Sequence, residues 1–128
     1  MLVDQLMEDI KAGGLVVAPS RAGKTSAIIK LMISDHRYYY VARNVHESAQ
    51  LAERFQMHSG RFVTPFSFIG GLLEAGNLFI IDECFTNPAF FNWEASKWHA
   101  AVGCNDYRIK LYSNNGSLLA EPAELWKE

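Results

Sequence analysis

The stretch Ala18-Pro-Ser-Arg-Ala-Gly-Lys-Thr25, directly after the apolar run Gly14-Leu15-Val16-Val17, constrains this chain more than any other. It reads as a strand, a tight loop containing Gly23, and a helix that begins near Lys24. The spacing follows the pattern GxxxxGK[ST], with Ala18, another small residue, where the pattern has its first glycine. A loop that turns sharply out of a strand aims several backbone N–H groups inward, and the following helix adds the positive end of its dipole. Both favour a bound phosphate. Lys24 is placed to reach the β- and γ-phosphates of a nucleoside triphosphate, and the Thr25 hydroxyl to ligate Mg²⁺. Gly23 stands where a Cβ would collide with them. Ser20, Arg21, Ala22, Gly23, Lys24 and Thr25 are therefore the expected nucleotide cradle.

A chain of 128 residues, 49% of them hydrophobic, is expected to form a single domain over 1–128 with a buried core. No apolar run approaches the roughly 20 residues that span a bilayer. The first ten residues carry Asp4, Glu8 and Asp9 rather than a basic segment, so no signal peptide is expected. Cys84 and Cys104 fit no CxxC pattern and read as reduced thiols of a cytoplasmic protein. His36, His46, His58 and His99 show no metal-ligand spacing and read as surface or loop residues. The net charge of -2 excludes a polycation, leaving nucleic-acid contact to a local patch or to pooled subunits.

Leu2, Leu6 and Ile10, with Val3 and Met7 beside them, predict an amphipathic helix ended by Gly13-Gly14. Leu15 to Ala18 reads as a central strand covered on both faces. The helix after the loop should bury Ala27, Ile28, Leu31 and Met32. A strand at 37–42 follows, then a helix capped by Asn44 and Glu47, with Val45, Ala49, Ala52 and Phe55 on its buried face. A short strand is expected at 61–64, a helix at 66–75 weakened by Gly70-Gly71, and a fully apolar strand at Leu78-Phe-Ile-Ile81. Asn87-Pro88 should start a helix carrying Phe90, Phe91, Trp98 and Val102. The last strand is expected at 108–112, running into Ser113-Asn-Asn-Gly116. Tyr39, Phe90 and Trp98 read as core, with Trp93 open between core and base stacking. Alternating strands and helices predict an α/β chain with a parallel sheet.

In such a sheet, ligands bind beyond the carboxyl ends of the strands. Asp82 and Glu83, which end the run at 78–81, fall at that edge. There Asp82 would hold Mg²⁺, and Glu83 would act as general base on the attacking water.

These residues resemble the P-loop NTPases of the additional-strand, catalytic-glutamate class, with Walker A at 18–25 and Walker B at 78–83. Within the class the chain is most similar to the ATPase domains of viral DNA-packaging terminases and to the first RecA-like domain of helicases. The resemblance runs over about residues 14–116. It implies a three-layer α/β sandwich around a mainly parallel RecA-like sheet in a minimal single domain, and ATP with Mg²⁺ as cofactors. A polar residue after the last strand would sense the γ-phosphate, for which Asn114 serves. The implied activity is ATP hydrolysis coupled to DNA handling, by a homo-oligomer or with a partner protein, in a viral or mobile-element setting without a membrane. Phosphoryl transfer in this class uses a cationic finger. Arg21 is the candidate in cis, and Arg43, Arg61 and Arg108 are candidates across an interface. Without an NKxD motif, ATP is expected over GTP. The alternatives are a thymidine-kinase-like nucleoside kinase, although its cysteine-rich zinc lobe is missing, and a nucleotide-dependent switch with little turnover.

Overall fold

The structure, a computed structural model, describes residues 2–19, 21–104, 111–112 and 118–120. Its first helix, α1 (Leu2–Ala12), turns Leu6 and Ile10 into the core and ends at Gly13 and Gly14, both with positive φ. Strand β1 (Gly14–Ala18) and helix α2 (Lys24–Ser34) follow on either side of the loop. Helix α2 buries Ala27, Ile28, Leu31 and Met32, as their i, i+4 spacing predicts.

Strands β2 (Tyr38–Val41), β3 (Phe62–Val63), β4 (Leu78–Ile81) and β5 (Ala100–Cys104) join β1 in a sheet of order β1-β5-β4-β2-β3. Every pairing is parallel. Helices α3 (Val45–Arg54), α4 (Gly70–Glu74) and α5 (Pro88–Asn92) lie between the strands in sequence. The two faces of the sheet separate by the period-2 rule of a strand. Val16, Ala18, Tyr40, Ile80, Ala100 and Val102 pack with α1, α2 and α3. Val41, Phe79, Ile81 and Ala101 pack on the other side with Leu72 and Leu73 of α4 and with Ala89 of α5. Helices thus cover both faces of an all-parallel sheet.

Three expectations are corrected, and the strand expected at 108–112 is described only in part. Strand β1 is not central: among the described residues it pairs with β5 alone and forms one end of the sheet. The helix expected to carry Phe90 through Val102 stops at Asn92, and Val102 lies in β5. Ala100-Ala-Val-Gly-Cys104 has helix-favouring alanines, but its five residues fill a fully buried slot between β1 and β4. A Cβ on Gly103 would stand 2.5 Å from Phe85 Cε2, so this strand must be narrow. The strand expected at 108–112 is described only at Leu111–Tyr112, which pairs antiparallel with Leu118–Ala120 in a separate ladder; Arg108 and Asn114 lie outside the described residues. Finally, α3 leaves Val45 and Ala49 exposed and turns Ala52, Leu51 and Phe55 inward, a face rotated by one position.

Trp98, Phe90 and Tyr39 are half-buried against the second core rather than enclosed by it. Trp93 joins them, edge-on to Phe79, with its indole N–H donating to Pro65 O at 2.9 Å. Both cysteines are buried free thiols, and burial pushes Cys84 well above its usual range. No helix among the described residues is long and apolar enough to cross a membrane.

Candidate phosphate and metal site

Because all five strands run parallel, the loops after β1, β2 and β4 open at one edge, and the site is built there. The loop after β1 closes with Ala22 N–H donating to Pro19 O at 3.3 Å. Arg21 (φ 62°) and Gly23 (φ 90°) are both left-handed. Gly23 serves as the N-cap of α2, with no side-chain cap and no acid in the first turn. That helix terminus keeps its positive end clear for an anion. Gly23 is constrained within the fold itself, since a Cβ there would stand 2.7 Å from Val3 Cγ2 of α1. Ser20 lies outside the described residues.

Lys24 is 7% exposed, and its ammonium folds back onto the loop, donating to Pro19 O at 2.7 Å and to Ala18 O at 3.4 Å. Thr25, one residue on, donates its hydroxyl to Asp82 Oδ2 at 2.8 Å. This bond joins the two halves of the site across 57 residues of sequence. The Tyr40 hydroxyl from β2 donates to the same oxygen, and Glu83 N–H donates to Asp82 Oδ1 at 2.9 Å. Burial is the main cause that raises the Asp82 pKa, opposed by these three donors. Burial and the neighbouring Asp82 charge push Tyr40 well above the phenol range, so it remains a donor. A desolvated carboxylate beside a threonine hydroxyl is a hard oxygen pair, which suits Mg²⁺. The residues fit the cation that the sequence implies.

Glu83 follows in the left-handed region at φ 51°, an uncommon conformation for a residue with a Cβ. Its carboxyl is half-buried, and burial first, then the Asp82 charge, raises its pKa; Arg43 and Lys24 act in the opposite sense. A glutamate poised upward in this way is a better proton acceptor near neutrality.

Two adjoining cavities meet at these residues. One, of about 320 Å³, is lined by Arg21, Gly23, Lys24, Thr25, Glu83 and Cys104 among others. The other, of about 550 Å³, runs from Thr25, Asp82 and Glu83 to Glu47, Gln50 and Leu51 of α3. Arg54, which sequence reasoning passed over, lines both, with its guanidinium 4.9 Å from the Phe55 ring centroid. Tyr40, in a run of three tyrosines at 38–40, is a second residue of the site that sequence reasoning passed over. Its only signal was position, one strand residue away from the edge.

The other arginines separate by place. Arg43 binds Glu47 (2.7 Å) and donates to Thr86 Oγ1 (3.2 Å), a hydroxyl that itself donates to Glu83 O. Glu47 thereby takes the Arg43 N–H at 3.2 Å instead of completing a reciprocal box with Asn44, although Asn44 does cap Glu47 N–H at 2.8 Å. Arg61 donates to Met32 O of α2 and Tyr38 O of β2 at 2.8 and 2.7 Å, so within this chain it ties the last turn of α2 to the start of β2. No family model, curated protein or solved structure matches the chain.

Proposed function

We propose that this chain binds Mg²⁺-ATP and hydrolyses it, and that hydrolysis is coupled to nucleic-acid handling, by an oligomer of the chain or with a partner protein. One observation carries the nucleotide reading: the loop before α2 and the acids after β4 converge at one sheet edge through the Thr25–Asp82 bond. The residues then take roles from their chemistry. Backbone N–H groups at the start of α2 and the Lys24 ammonium hold the phosphates, Lys24 exchanging its two carbonyl partners for phosphate oxygens. Thr25 and Asp82 hold the cation, which supplies charge neutralisation at the phosphates when bound. Glu83 orients a water and takes its proton as the new P–O bond forms and the diphosphate departs. Arg21, in the smaller cavity, is the cis cation for the developing charge, with Arg54 beside it.

The test is steady-state ATP hydrolysis with and without single- and double-stranded DNA, using two variants. Lys24→Ala should weaken triphosphate binding and abolish turnover. Glu83→Gln should bind ATP normally and lose most turnover, since it keeps the shape and removes the base. Wild-type turnover by Glu83→Gln overturns the catalytic assignment, and a rate indifferent to DNA overturns the coupling.

A second reading rests on the larger cavity. A water occupies roughly 30 Å³, whereas this cavity of about 550 Å³ starts at Thr25 and Glu83 and extends toward α3. Room on that scale suits phosphoryl transfer to an organic hydroxyl. ADP formed in excess of inorganic phosphate when nucleosides are added would decide for it.

A further inference from the structure

The geometry points to Tyr40 as the positioning residue of the cation site: its hydroxyl holds the Asp82 carboxylate in place while Thr25 turns its oxygen to the cation. This rests on the reading above that Thr25 and Asp82 hold a divalent cation.

Asp82 Oδ2 accepts from both Thr25 and Tyr40, while Oδ1 accepts from Glu83 N–H. The two donors to Oδ2 differ in what else they can do. Thr25 stands in the first turn of α2, beside the phosphate loop, and its oxygen is the one offered to a metal. Tyr40 stands within a strand that is paired on both sides, opposite Ile80 of β4 and Phe62 of β3. Its ring is 2% exposed and packs against the Phe62 ring with centroids 5.4 Å apart. The phenol is therefore fixed by the sheet, and it orients a carboxylate that is itself 1% exposed. Removing the hydroxyl leaves the ring in its slot and takes away the donor that no ligand displaces. Partners of this kind, which touch a ligating group rather than the metal, commonly change metal affinity by roughly 10–100-fold.

The experiment titrates Mn²⁺ onto the ADP-loaded full chain and follows free Mn²⁺ by electron paramagnetic resonance. It compares wild type with Tyr40→Phe and Phe62→Leu, and measures ADP binding separately without metal. Tyr40→Phe should weaken Mn²⁺ binding roughly tenfold or more and leave metal-free ADP binding unchanged. Phe62→Leu keeps the hydroxyl and loosens the ring, so it should lower the melting temperature while Mn²⁺ affinity stays within twofold, roughly, of wild type. Wild-type Mn²⁺ affinity in Tyr40→Phe overturns the proposal, as does an equal loss in Phe62→Leu, which would make the effect one of packing. Failure of the wild type itself to bind Mn²⁺ beside ADP overturns the cation reading beneath it, a separate result.

Discussion

Glu83 combines a left-handed backbone, a half-buried carboxyl and an acidic neighbour, and each has a measurable consequence. Its upward shift sets the sign of the pH response. In the proposed role of general base Glu83 must be ionised, so the acid limb of kcat/KM should lie above the ordinary glutamate value of 4.5. A limb at or below that value would show that another group limits the rate. The same backbone explains why Glu83 can aim away from Asp82 although adjacent to it: the left-handed turn sends Asp82 inward to Tyr40 and Thr25 while Glu83 lines both cavities. Lys24 behaves differently. Its ammonium satisfies two loop carbonyls, so on the proposed reading phosphate binding would exchange hydrogen bonds rather than add them.

Two elements end or narrow in ways that single substitutions can test. Helix α3 closes with Met57 N–H on Ala52 O and Gln56 N–H on Glu53 O, the paired bonds of a Schellman end with Gln56 at φ 53°. Helix α4 closes the same way at Gly76, where glycine meets the positive φ without strain. Gln56→Gly should therefore stabilise the chain by about 1 kcal/mol, read as a higher urea midpoint with unchanged ATP turnover. In β5 the reverse holds. A methyl at Gly103 would press on Phe85 and Cys84, so Gly103→Ala should destabilise by about 1–3 kcal/mol and disturb the turn that carries Glu83. These elements also show what the sequence could reveal. The loop at 18–25 and the acids at 82–83 were legible because their chemistry fixes their spacing. The capping Asn44 and the α2 face were legible because their signals are local. Strand β5 was not, since Ala-Ala-Val-Gly-Cys holds one β-branched residue, Val102, and no aromatic, and takes its form from the slot between two neighbours. Tyr40 was missed for the same kind of reason: nothing near it in sequence says that Asp82 lies across the sheet.

At the scale of the whole molecule, burial of Asp82 works against the gain of stability with pH that most proteins show. Asp82 has a folded pKa above its unfolded one, so its contribution is complete below the unfolded value of 3.8 and is lost as pH rises through the raised value. Asp35 runs the other way: bonded to Arg37 and lowered to about 2, it contributes above 3.8 and loses that contribution as pH falls through about 2. The Asp35–Arg37 pair lies partly exposed at the surface, where solvent screens it, so Asp82 should dominate. The melting temperature should fall as pH rises from 4 toward neutrality, by roughly a few degrees, and Asp82→Asn should flatten that slope. A slope unchanged by Asp82→Asn would show that other groups set it. The order of the sheet also has a consequence in time. Among the described residues, β1 is the first strand to be synthesised and pairs only with β5, the last of the five. While a nascent chain grows, the loop at 18–25 therefore hangs from an unpaired strand, although Lys24 and Asp82 have both been made. Only when residues 100–104 slot between β1 and β4 does the first strand gain its place. The proposed nucleotide site should then be assembled in a single late step, with closure of the sheet, rather than accumulate as the chain emerges.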